Sequence, residues 1–359
     1  MAKKVLFILG TRPEVIKLAP LISAMKENED FEVTICNSGQ HKELLEAHFK
    51  EFYLQADYDL DVMQQGQSLS SLAARMILGL GTTISQELPD LVVVQGDTQT
   101  AFCGALAAAY AQITCAHVEA GLRTYDRDNP FPEELNRQAI SRLASIHFCP
   151  TEKNKDYLKS EGITDNVFVT GNTVIDSLKR ILGNDEIPDR TNTILYTVHR
   201  RENANNIEGI AASITNMMQA FPESTHEIIA HPNETTSQLI QALEQSESSP
   251  DILQPLSYSE MIKKLSICQL VITDSGGILE ECTYLKTPTI VIRRTTERQE
   301  SLSQEWVVIS NPEDQDLLDK AKALLLKSSF ESQESRCTVF GEGNASAQIM
   351  IHLEQLLET

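Results

Sequence analysis

Short apolar runs alternate with longer amphipathic segments along most of the chain. Runs rich in Val, Ile and Leu predict buried parallel strands, because strands covered on both faces do not need polar residues at alternate positions. The predicted strands are Lys3–Leu9, Phe31–Cys36, Leu91–Val94, Ile113–Val118, Ser145–Cys149, Val167–Val169, Thr193–Thr197, Glu227–Ala230, Leu270–Thr273 and Thr289–Ile292. Helical segments separate them. This alternation predicts α/β architecture with a doubly wound parallel sheet.

The strands fall into two successive series, which predict two similar α/β domains. A chain of 359 residues, 41% of them hydrophobic, is also long for a single core. The segment 170–190 is the natural hinge, so we expect an N-terminal domain over residues 1–170 and a C-terminal domain over 171–344. The polar stretch Gln241–Pro250 is predicted to be a loop. The tail over 345–359 has helical apolar spacing and fits against either domain.

Composition narrows the classes of partner. The formal charge of −21 predicts that the surface as a whole repels nucleic acid and anionic membranes. No apolar run approaches the ~20 residues of a membrane span, and Val5–Leu9 is too short for a signal-peptide core, so we expect a cytoplasmic protein. The seven cysteines include no Cys-x-x-Cys pair, and metal binding has little support.

Three acidic residues follow the predicted strands at the same edge of the sheet. Asp97 comes directly after the apolar run Leu91–Val94, Glu119 follows the next strand, and Glu133 opens the helix after a proline-bounded loop. Open α/β sheets bind their ligands at the carboxyl ends of their strands. Clustered acids at such an edge suggest proton-transfer chemistry.

The first strand is followed by a candidate anion site. Thr11 and Glu14 have capping-box spacing, so the exposed amides of a helix start would lie beside Arg12 and Lys17. An ordinary capped helix with surface cations explains these residues equally well.

The stretch Thr273–Glu281 in the second half joins a strand to a helix through Ser275, Gly276 and Gly277. Glycines in this context let backbone amides approach a phosphate at a helix N-terminus, and Glu281 lies where a carboxylate can accept hydrogen bonds from ribose hydroxyls. The alternative is a simple capped turn. The Gly-x-x-x-x-Gly-Lys-Ser/Thr pattern of P-loop enzymes is absent from the sequence.

His199 follows the first strand of the second half and is a candidate catalytic histidine, although a lone histidine is more often structural. Its neighbours Arg200 and Arg201 would disfavour an imidazolium unless an anion binds nearby. His117, inside a strand, is less promising. Further positive charge follows the last central strand at Arg293, Arg294 and Arg298, although Arg293 and Arg294 are also consistent with solvated surface cations.

A series of motifs spanning nearly the whole chain resembles the non-hydrolysing UDP-N-acetylglucosamine 2-epimerases. The motifs are Gly10-Thr11-Arg12-Pro13-Glu14-Val15-Ile16-Lys17, Gln95-Gly96-Asp97-Thr98, His117-Val118-Glu119-Ala120-Gly121-Leu122-Arg123-Thr124, Pro132-Glu133-Glu134, Thr170-Gly171-Asn172-Thr173, His199-Arg200-Arg201-Glu202-Asn203, Asp274-Ser275-Gly276-Gly277 and Thr296-Glu297-Arg298. The resemblance implies the GT-B architecture of two Rossmann-like domains facing across a cleft, with the C-terminal helix crossing back to the first domain.

The resemblance also implies roles for individual residues. The catalytic set becomes Asp97, Glu119, Glu133 and His199. Contacts to the UDP-sugar fall at Arg12, Lys17, Met261, Ser275, Gly276, Gly277, Glu281 and Arg298, with Met261 standing where many members have a Phe against the uracil.

The implied reaction is reversible epimerisation at C2 without any cofactor, supplying N-acetylmannosamine units for cell-surface polysaccharide. A homodimer is expected. A second substrate molecule is expected to act as an activator near Gln40, Arg200 and His231. The chain has Glu43 and Gly66 where some relatives have Gln and Arg, which would weaken such a site.

Three other functions stay open at this point. A GT-B glycosyltransferase could use the same nucleotide pocket, and a nucleotide-sugar sensor could bind without turnover. The hydrolysing epimerases release UDP and free N-acetylmannosamine, but their members tend to carry Ala-Asp after Gly-Thr-Arg, whereas this chain has Pro13-Glu14.

Overall fold

The chain forms two compact units in the computed structural model. The structure describes residues 2–39, 42–64, 66–183, 188–246, 249–312, 316–327 and 336–357, with the side chains of 42–44 and 201 excluded. The first unit comprises Met1–Arg180 and Phe340–Thr359, and the second comprises Ile181–Val339. The division at 180/181 lies beyond the predicted boundary at 170/171.

The first unit alternates strands and helices in chain order. Its elements are β1 (Lys3–Leu9), α1 (Arg12–Lys26), β2 (Phe31–Asn37), α2 (Lys42–Glu51), β3 (Tyr58–Asp59), α3 (Leu69–Glu87), β4 (Leu91–Gln95), α4 (Gln99–Tyr110), β5 (Thr114–Val118), α5 (Glu133–Leu143), β6 (Ile146–Cys149), α6 (Glu152–Ser160), β7 (Val167–Val169) and α7 (Thr173–Leu182).

These strands form one parallel sheet in the order β3-β2-β1-β4-β5-β6-β7. All residues of β4 are buried, because helices cover both of its faces. The strand order reverses between β1 and β4, so the chain leaves these two strands in opposite directions and opens a crevice at their carboxyl ends. The predicted capping box of α1 is present there, with the Glu14 carboxylate accepting a hydrogen bond from the Thr11 backbone N–H at 2.7 Å.

The C-terminal helix α13 (Ala345–Leu357) packs against α1. Its first turn is anchored by Asp176, whose carboxylate accepts hydrogen bonds from the backbone N–H groups of Ala345 and Ser346 at 3.1 and 2.8 Å. A carboxylate at a helix N-terminus is favourable because it meets unsatisfied amides and the positive end of the helix dipole. The helix therefore belongs to the first unit.

The second unit repeats the pattern with fewer strands. Its elements are β8 (Thr193–Thr197), α8 (Ile207–Ala220), β9 (Thr225–Ile229), α9 (Glu234–Glu244), β10 (Asp251–Leu253), α10 (Tyr258–Ile267), β11 (Leu270–Thr273), α11 (Gly276–Leu285), β12 (Thr289–Ile292), β13 (Val307–Ser310) and α12 (Leu317–Lys327). A short 3₁₀ turn, Arg201–Asn206, precedes α8.

The strands of this unit form a parallel sheet in the order β10-β9-β8-β11-β12-β13, with the reversal between β8 and β11. One core cluster on the sheet includes Tyr196, Ile214 and Ile272, all fully buried. Strands β3, β10 and β13 were not predicted, and α9 extends to Glu244 into the stretch that was expected to be a loop. No helix in the described part of the chain is long and apolar enough to cross a membrane.

Candidate active site

The first unit places two of the predicted acids at the carboxyl edge of its sheet, after β4 at the reversal of the strand order and after the neighbouring strand β5. Asp97 follows β4 and Glu119 follows the adjacent strand β5, while Gly10 and Thr11 follow β1 on the other side of β4. The sequence prediction that acids gather at this sheet edge is therefore correct for the backbone positions of Asp97 and Glu119.

Glu119 forms a buried ion pair with Lys17. The Lys17 Nζ lies 2.6 Å from Glu119 Oε2, and both side chains are almost completely buried. The Gln95 side-chain amide donates a second hydrogen bond to the same oxygen. Glu119 has a φ of 67°, a left-handed conformation that is costly for a residue with a side chain. The sequence marked Lys17 as a phosphate contact, whereas the structure pairs it with a predicted catalytic acid.

Asp97 forms an ion pair with Arg137 on α5. The guanidinium Nη2 and Nε of Arg137 lie 2.6 and 2.8 Å from Asp97 Oδ2. Arg137 also contacts Glu134 at 3.1 Å, and Glu134 accepts hydrogen bonds from the backbone N–H groups of Thr124 and Tyr125. Sequence reasoning missed Arg137, although its spacing from Glu133 and Glu134 on one helix would have indicated a shared face.

Glu133 and Arg12 occupy the first residues of helices at this edge. Glu133 begins α5, the helix that carries Arg137, and its side chain is half-buried. Arg12 begins α1 and is also half-buried. Burial lowers the pKa of His48, and the charge of Arg12 lowers it further.

In the second unit, His199 and Asp274 follow the two strands on either side of the reversal. Asp274 is completely buried after β11. Its carboxylate accepts hydrogen bonds from the backbone N–H groups of His199 and Arg200 at 3.0 and 2.8 Å, and from the Asn203 side chain at 2.8 Å. Asp274 therefore fixes the loop that carries the predicted catalytic histidine, a relationship that sequence spacing did not reveal.

The His199 imidazole stacks on the ring of His231. The ring centroids lie 4.9 Å apart with an interplanar angle of 18°. The Asn233 side chain donates to the His199 carbonyl oxygen at 2.9 Å and lies 3.2 Å from His231 Nδ1. The predicted activator residues Arg200 and His231 thus lie beside His199. Gln40, the other residue of that prediction, is outside the described residues.

The predicted phosphate loop has the geometry that its sequence indicated. Ser275 is the N-cap of α11, Gly276 is the first helical residue, and the helix follows the buried strand β11. A Cβ added to Gly276 would lie 2.5 Å from the Arg298 guanidinium, so glycine permits a close approach of that cation. A Cβ on Gly277 would have no heavy atom within 4 Å, so a side chain at this position would enter open space.

A buried charged network supports this loop. Arg298 donates to Glu280 Oε1 at 2.8 Å and contacts Glu297, whose carboxylate also lies 3.1 Å from Arg293. Arg293 is only 2% exposed, so its interpretation as a solvated surface cation is wrong. Arg294 is exposed, as that interpretation required. The buried Arg293 guanidinium lies 3.1 Å from the Glu297 carboxylate and 3.2 Å from the Glu202 carboxylate.

The last two predicted contacts lie on buried helix faces of the second unit. Glu281 is buried on α11, and Met261 is buried in the first turns of α10. Across the part of the chain that the structure describes, no cluster of three or more His, Cys, Asp or Glu side chains is arranged to hold a metal ion.

Two doubly wound α/β units, each with polar groups at its strand reversal, define the GT-B class of fold. A glycosyltransferase from Streptomyces nogalater has this fold with a TM-score of 0.54 at 18% identity, covering 98% of this chain and 100% of that one. The family model for UDP-N-acetylglucosamine 2-epimerase matches residues 23–354. The chain belongs to the UDP-N-acetylglucosamine 2-epimerase family.

Individual relatives agree along almost the full length of the chain. The UDP-N-acetylglucosamine 2-epimerase of Neisseria meningitidis serogroup A is 37% identical, over 97% of this chain and 98% of its own. A crystal structure of UDP-GlcNAc 2-epimerase from Neisseria meningitidis bound to UDP-GlcNAc superposes with a TM-score of 0.90 at 36% identity, covering 99% of this chain and 100% of that one.

Proposed function

We propose that this protein interconverts UDP-N-acetylglucosamine and UDP-N-acetylmannosamine reversibly, without hydrolysing the nucleotide sugar. The observation that carries the proposal is the pair of ion-paired carboxylates, Glu119 with Lys17 and Asp97 with Arg137, at neighbouring strand ends in a member of this family. Ion pairing favours the charged form of a carboxylate, which is the form that accepts a proton.

The chemistry of the substrate requires such a site. The C2 proton of a UDP-sugar has no adjacent carbonyl group to stabilise a carbanion, so its removal is coupled to departure of UDP from C1. The C2–H and C1–O bonds break, a C1–C2 double bond forms, and the products are UDP and 2-acetamidoglucal. UDP then adds back to C1 while a proton is delivered to the opposite face of C2.

A base and an acid on opposite faces of C2 carry out these two proton transfers. We assign these roles to Asp97, Glu119 and Glu133, and each positioned transfer contributes a factor of roughly 10² to 10⁴ in rate. The cations beside two of these acids, Lys17 and Arg137, offset the negative charge of the carboxylates themselves.

We assign the nucleotide to the second unit. The N-terminus of α11, with Ser275 as its N-cap and Arg298 beside Gly276, offers amides and a guanidinium to a diphosphate. Glu281 is assigned to the ribose and Met261 to a face of the uracil, where a thioether makes favourable contact with an aromatic ring. His199 would stabilise the departing diphosphate, together with Arg12.

The proposal extends to the setting of the reaction. The enzyme would act in the cytoplasm as a homodimer. Its product would supply N-acetylmannosamine units for cell-surface polysaccharide. A second substrate molecule would bind beside His199, where Arg200 and His231 lie. Turnover would need no cofactor.

Incubation with UDP-N-acetylglucosamine alone tests the function against its alternatives. We expect UDP-N-acetylmannosamine to accumulate to an equilibrium ratio while free UDP stays at trace level. Stoichiometric UDP and N-acetylmannosamine would identify a hydrolysing enzyme instead. Unchanged substrate would favour a glycosyltransferase that lacks its acceptor, or a sensor that binds without turnover.

A further inference from the structure

Three consecutive residues after β4 are each held by a different buried side chain. The Gly96 carbonyl oxygen contacts His117, the Asp97 carbonyl oxygen accepts from Asn136 at 2.9 Å, and the Thr98 hydroxyl contacts Glu14. The middle residue carries a carboxylate of the proposed site. Its backbone is thus fixed by groups from three other elements.

Glu14 lies completely buried between the loops that follow β1 and β4. Its Oε2 accepts hydrogen bonds from the backbone N–H groups of Gly10 and Thr11 at 2.9 and 2.7 Å, and from the Thr11 hydroxyl at 2.8 Å. Its Oε1 accepts from the Thr98 hydroxyl at 2.5 Å. Capping its own helix requires only the local contacts, so the bond to Thr98, 84 residues away, is an addition to the capping box.

His117 holds the other side of the turn. Its Nε2 lies 2.7 Å from the Gly96 carbonyl oxygen. A carbonyl oxygen can only accept, so Nε2 carries the proton and the ring donates. Nδ1 is buried without a hydrogen-bond partner among the described residues, which suits the unprotonated nitrogen of a neutral ring. Burial lowers the pKa of His117 to about 3, so the ring stays neutral during turnover.

We propose that Glu14 and His117 are positioning residues that hold the Asp97 turn from its two sides and thereby set the direction of the Asp97 carboxylate. This inference rests on the proposed function. Neither side chain needs to touch the substrate. A displacement of about 1 Å at a reacting group can cost 10²-fold in rate, so loss of either hydrogen bond should lower turnover.

Two matched pairs of variants test the proposal. Thr98→Val removes the hydroxyl that donates a hydrogen bond to Glu14, whereas Thr98→Ser keeps a hydroxyl at this position. His117→Leu removes the donor to Gly96, whereas His117→Gln keeps an N–H near the position of Nε2. We expect kcat to fall about 10- to 100-fold in Thr98→Val and His117→Leu with KM almost unchanged, and to be largely retained in the other two.

A control separates positioning from loss of helix capping. Thr98 also accepts a hydrogen bond from the Ala101 backbone N–H at 3.0 Å as the N-cap of α4. Ser68 caps α3 in the same way, accepting from Ser71 at 3.1 Å. Ser68→Ala should therefore lose a similar cap stability and keep wild-type kcat. UDP affinity and the folded fraction, measured for every variant, correct kcat for misfolding.

The decisive readout uses an Asp97→Asn background. If Thr98 and His117 act through Asp97, adding Thr98→Val or His117→Leu to that variant should cause little further loss of kcat. A full repeat of the loss would overturn the proposal, as would Thr98→Val and His117→Leu variants that turn over like wild type. A wild-type protein without epimerase activity would refute the proposed function instead, so the two failures are distinguishable.

Discussion

The imidazole Nδ1 of His199 lies 3.4 Å from Oδ1 of Asp274, and the His199 backbone N–H donates to both oxygens of the same carboxylate. The carboxylate is completely buried, while the imidazole is partly exposed. A buried carboxylate beside an imidazole restricts the position of the ring and favours a proton on the nitrogen that faces it, here Nδ1.

Asp274→Asn should lower kcat by about 10- to 100-fold. The asparagine NH₂ group would face N–H groups that now donate hydrogen bonds to the Asp274 carboxylate, so those hydrogen bonds would be lost. Steady-state kinetics with UDP-N-acetylglucosamine measure the effect. Asp251, an exposed carboxylate on β10, provides the control, and Asp251→Asn should match wild type. Equal kcat in the Asp274 and Asp251 variants would show that the carboxylate does not orient His199.

Asp97→Asn, Glu119→Gln and Glu133→Gln should each reduce turnover by at least about 10²-fold, the lower bound for a positioned acid or base. Calorimetric titration with UDP should show nearly unchanged affinity, because the nucleotide is assigned to the second unit. If all three variants kept near-normal turnover, the proposed catalytic acids would be wrong.

Lys17→Met should destabilise the protein by about 3–5 kcal/mol, because it leaves the Glu119 carboxylate buried without its cation. The double variant Lys17→Met/Glu119→Gln should recover part of this loss. Chemical denaturation of Lys17→Met, Glu119→Gln and the double variant measures these effects. Lys320→Met, which removes a more exposed ion pair with Asp316, should cost less than about 1 kcal/mol. Strictly additive effects at Lys17 and Glu119 would contradict the pairing.

The titration of His117 predicts how stability depends on pH. The pKa of His117 is depressed to about 3 in the folded protein, from an ordinary value of 6.5. As the pH falls, the imidazole therefore takes up a proton in the unfolded chain before it does so in the folded protein. The contribution of the neutral ring to stability is present above pH 6.5 and is lost as the pH falls towards 3. As the pH falls below 6.5, the free energy of unfolding of the wild type should decrease, relative to that of His117→Gln, by up to about 1.4 kcal/mol per pH unit. Denaturation curves between pH 7.5 and 5.5 measure the difference, and parallel profiles would contradict it.

The rate curve against UDP-N-acetylglucosamine should be weakly sigmoidal, and the reverse reaction should need a trace of that substrate to start. Glu43 and Gly66 stand where the family resemblance implies Gln and Arg in some members, so an anionic effector would bind less tightly. Initial rates in both directions provide the measurement. A hyperbolic curve with an immediate reverse rate would show that no second substrate site operates.

Strand ends were the most predictable part of the site. Continuous apolar runs identified β4 and β5, and polar residues directly after a buried strand must lie at its carboxyl edge, which placed Asp97 and Glu119. The short strands β3 and β10 at the edge of their sheets were missed, because two or three residues do not produce a recognisable pattern.

Contacts between distant residues were not predictable from local pattern. The pair Lys17–Glu119 joins residues 102 positions apart and depends on the left-handed backbone of Glu119. Arg293 and Arg294 look alike in sequence, yet Arg293 is buried and Arg294 is exposed. Arg293 forms ion pairs with Glu202 and Glu297, which lie at distant and nearby positions of the sequence. Such differences follow from partners that only the folded chain brings together.

The central claim is that C2 is inverted while UDP is returned to the same sugar. Proton NMR of the wild-type protein with UDP-N-acetylglucosamine in D₂O tests it most directly. We expect UDP-N-acetylmannosamine that carries deuterium at C2, with its anomeric phosphate bond intact and only trace free UDP. Product that retains protium at C2, or release of UDP in step with free N-acetylmannosamine, would contradict it.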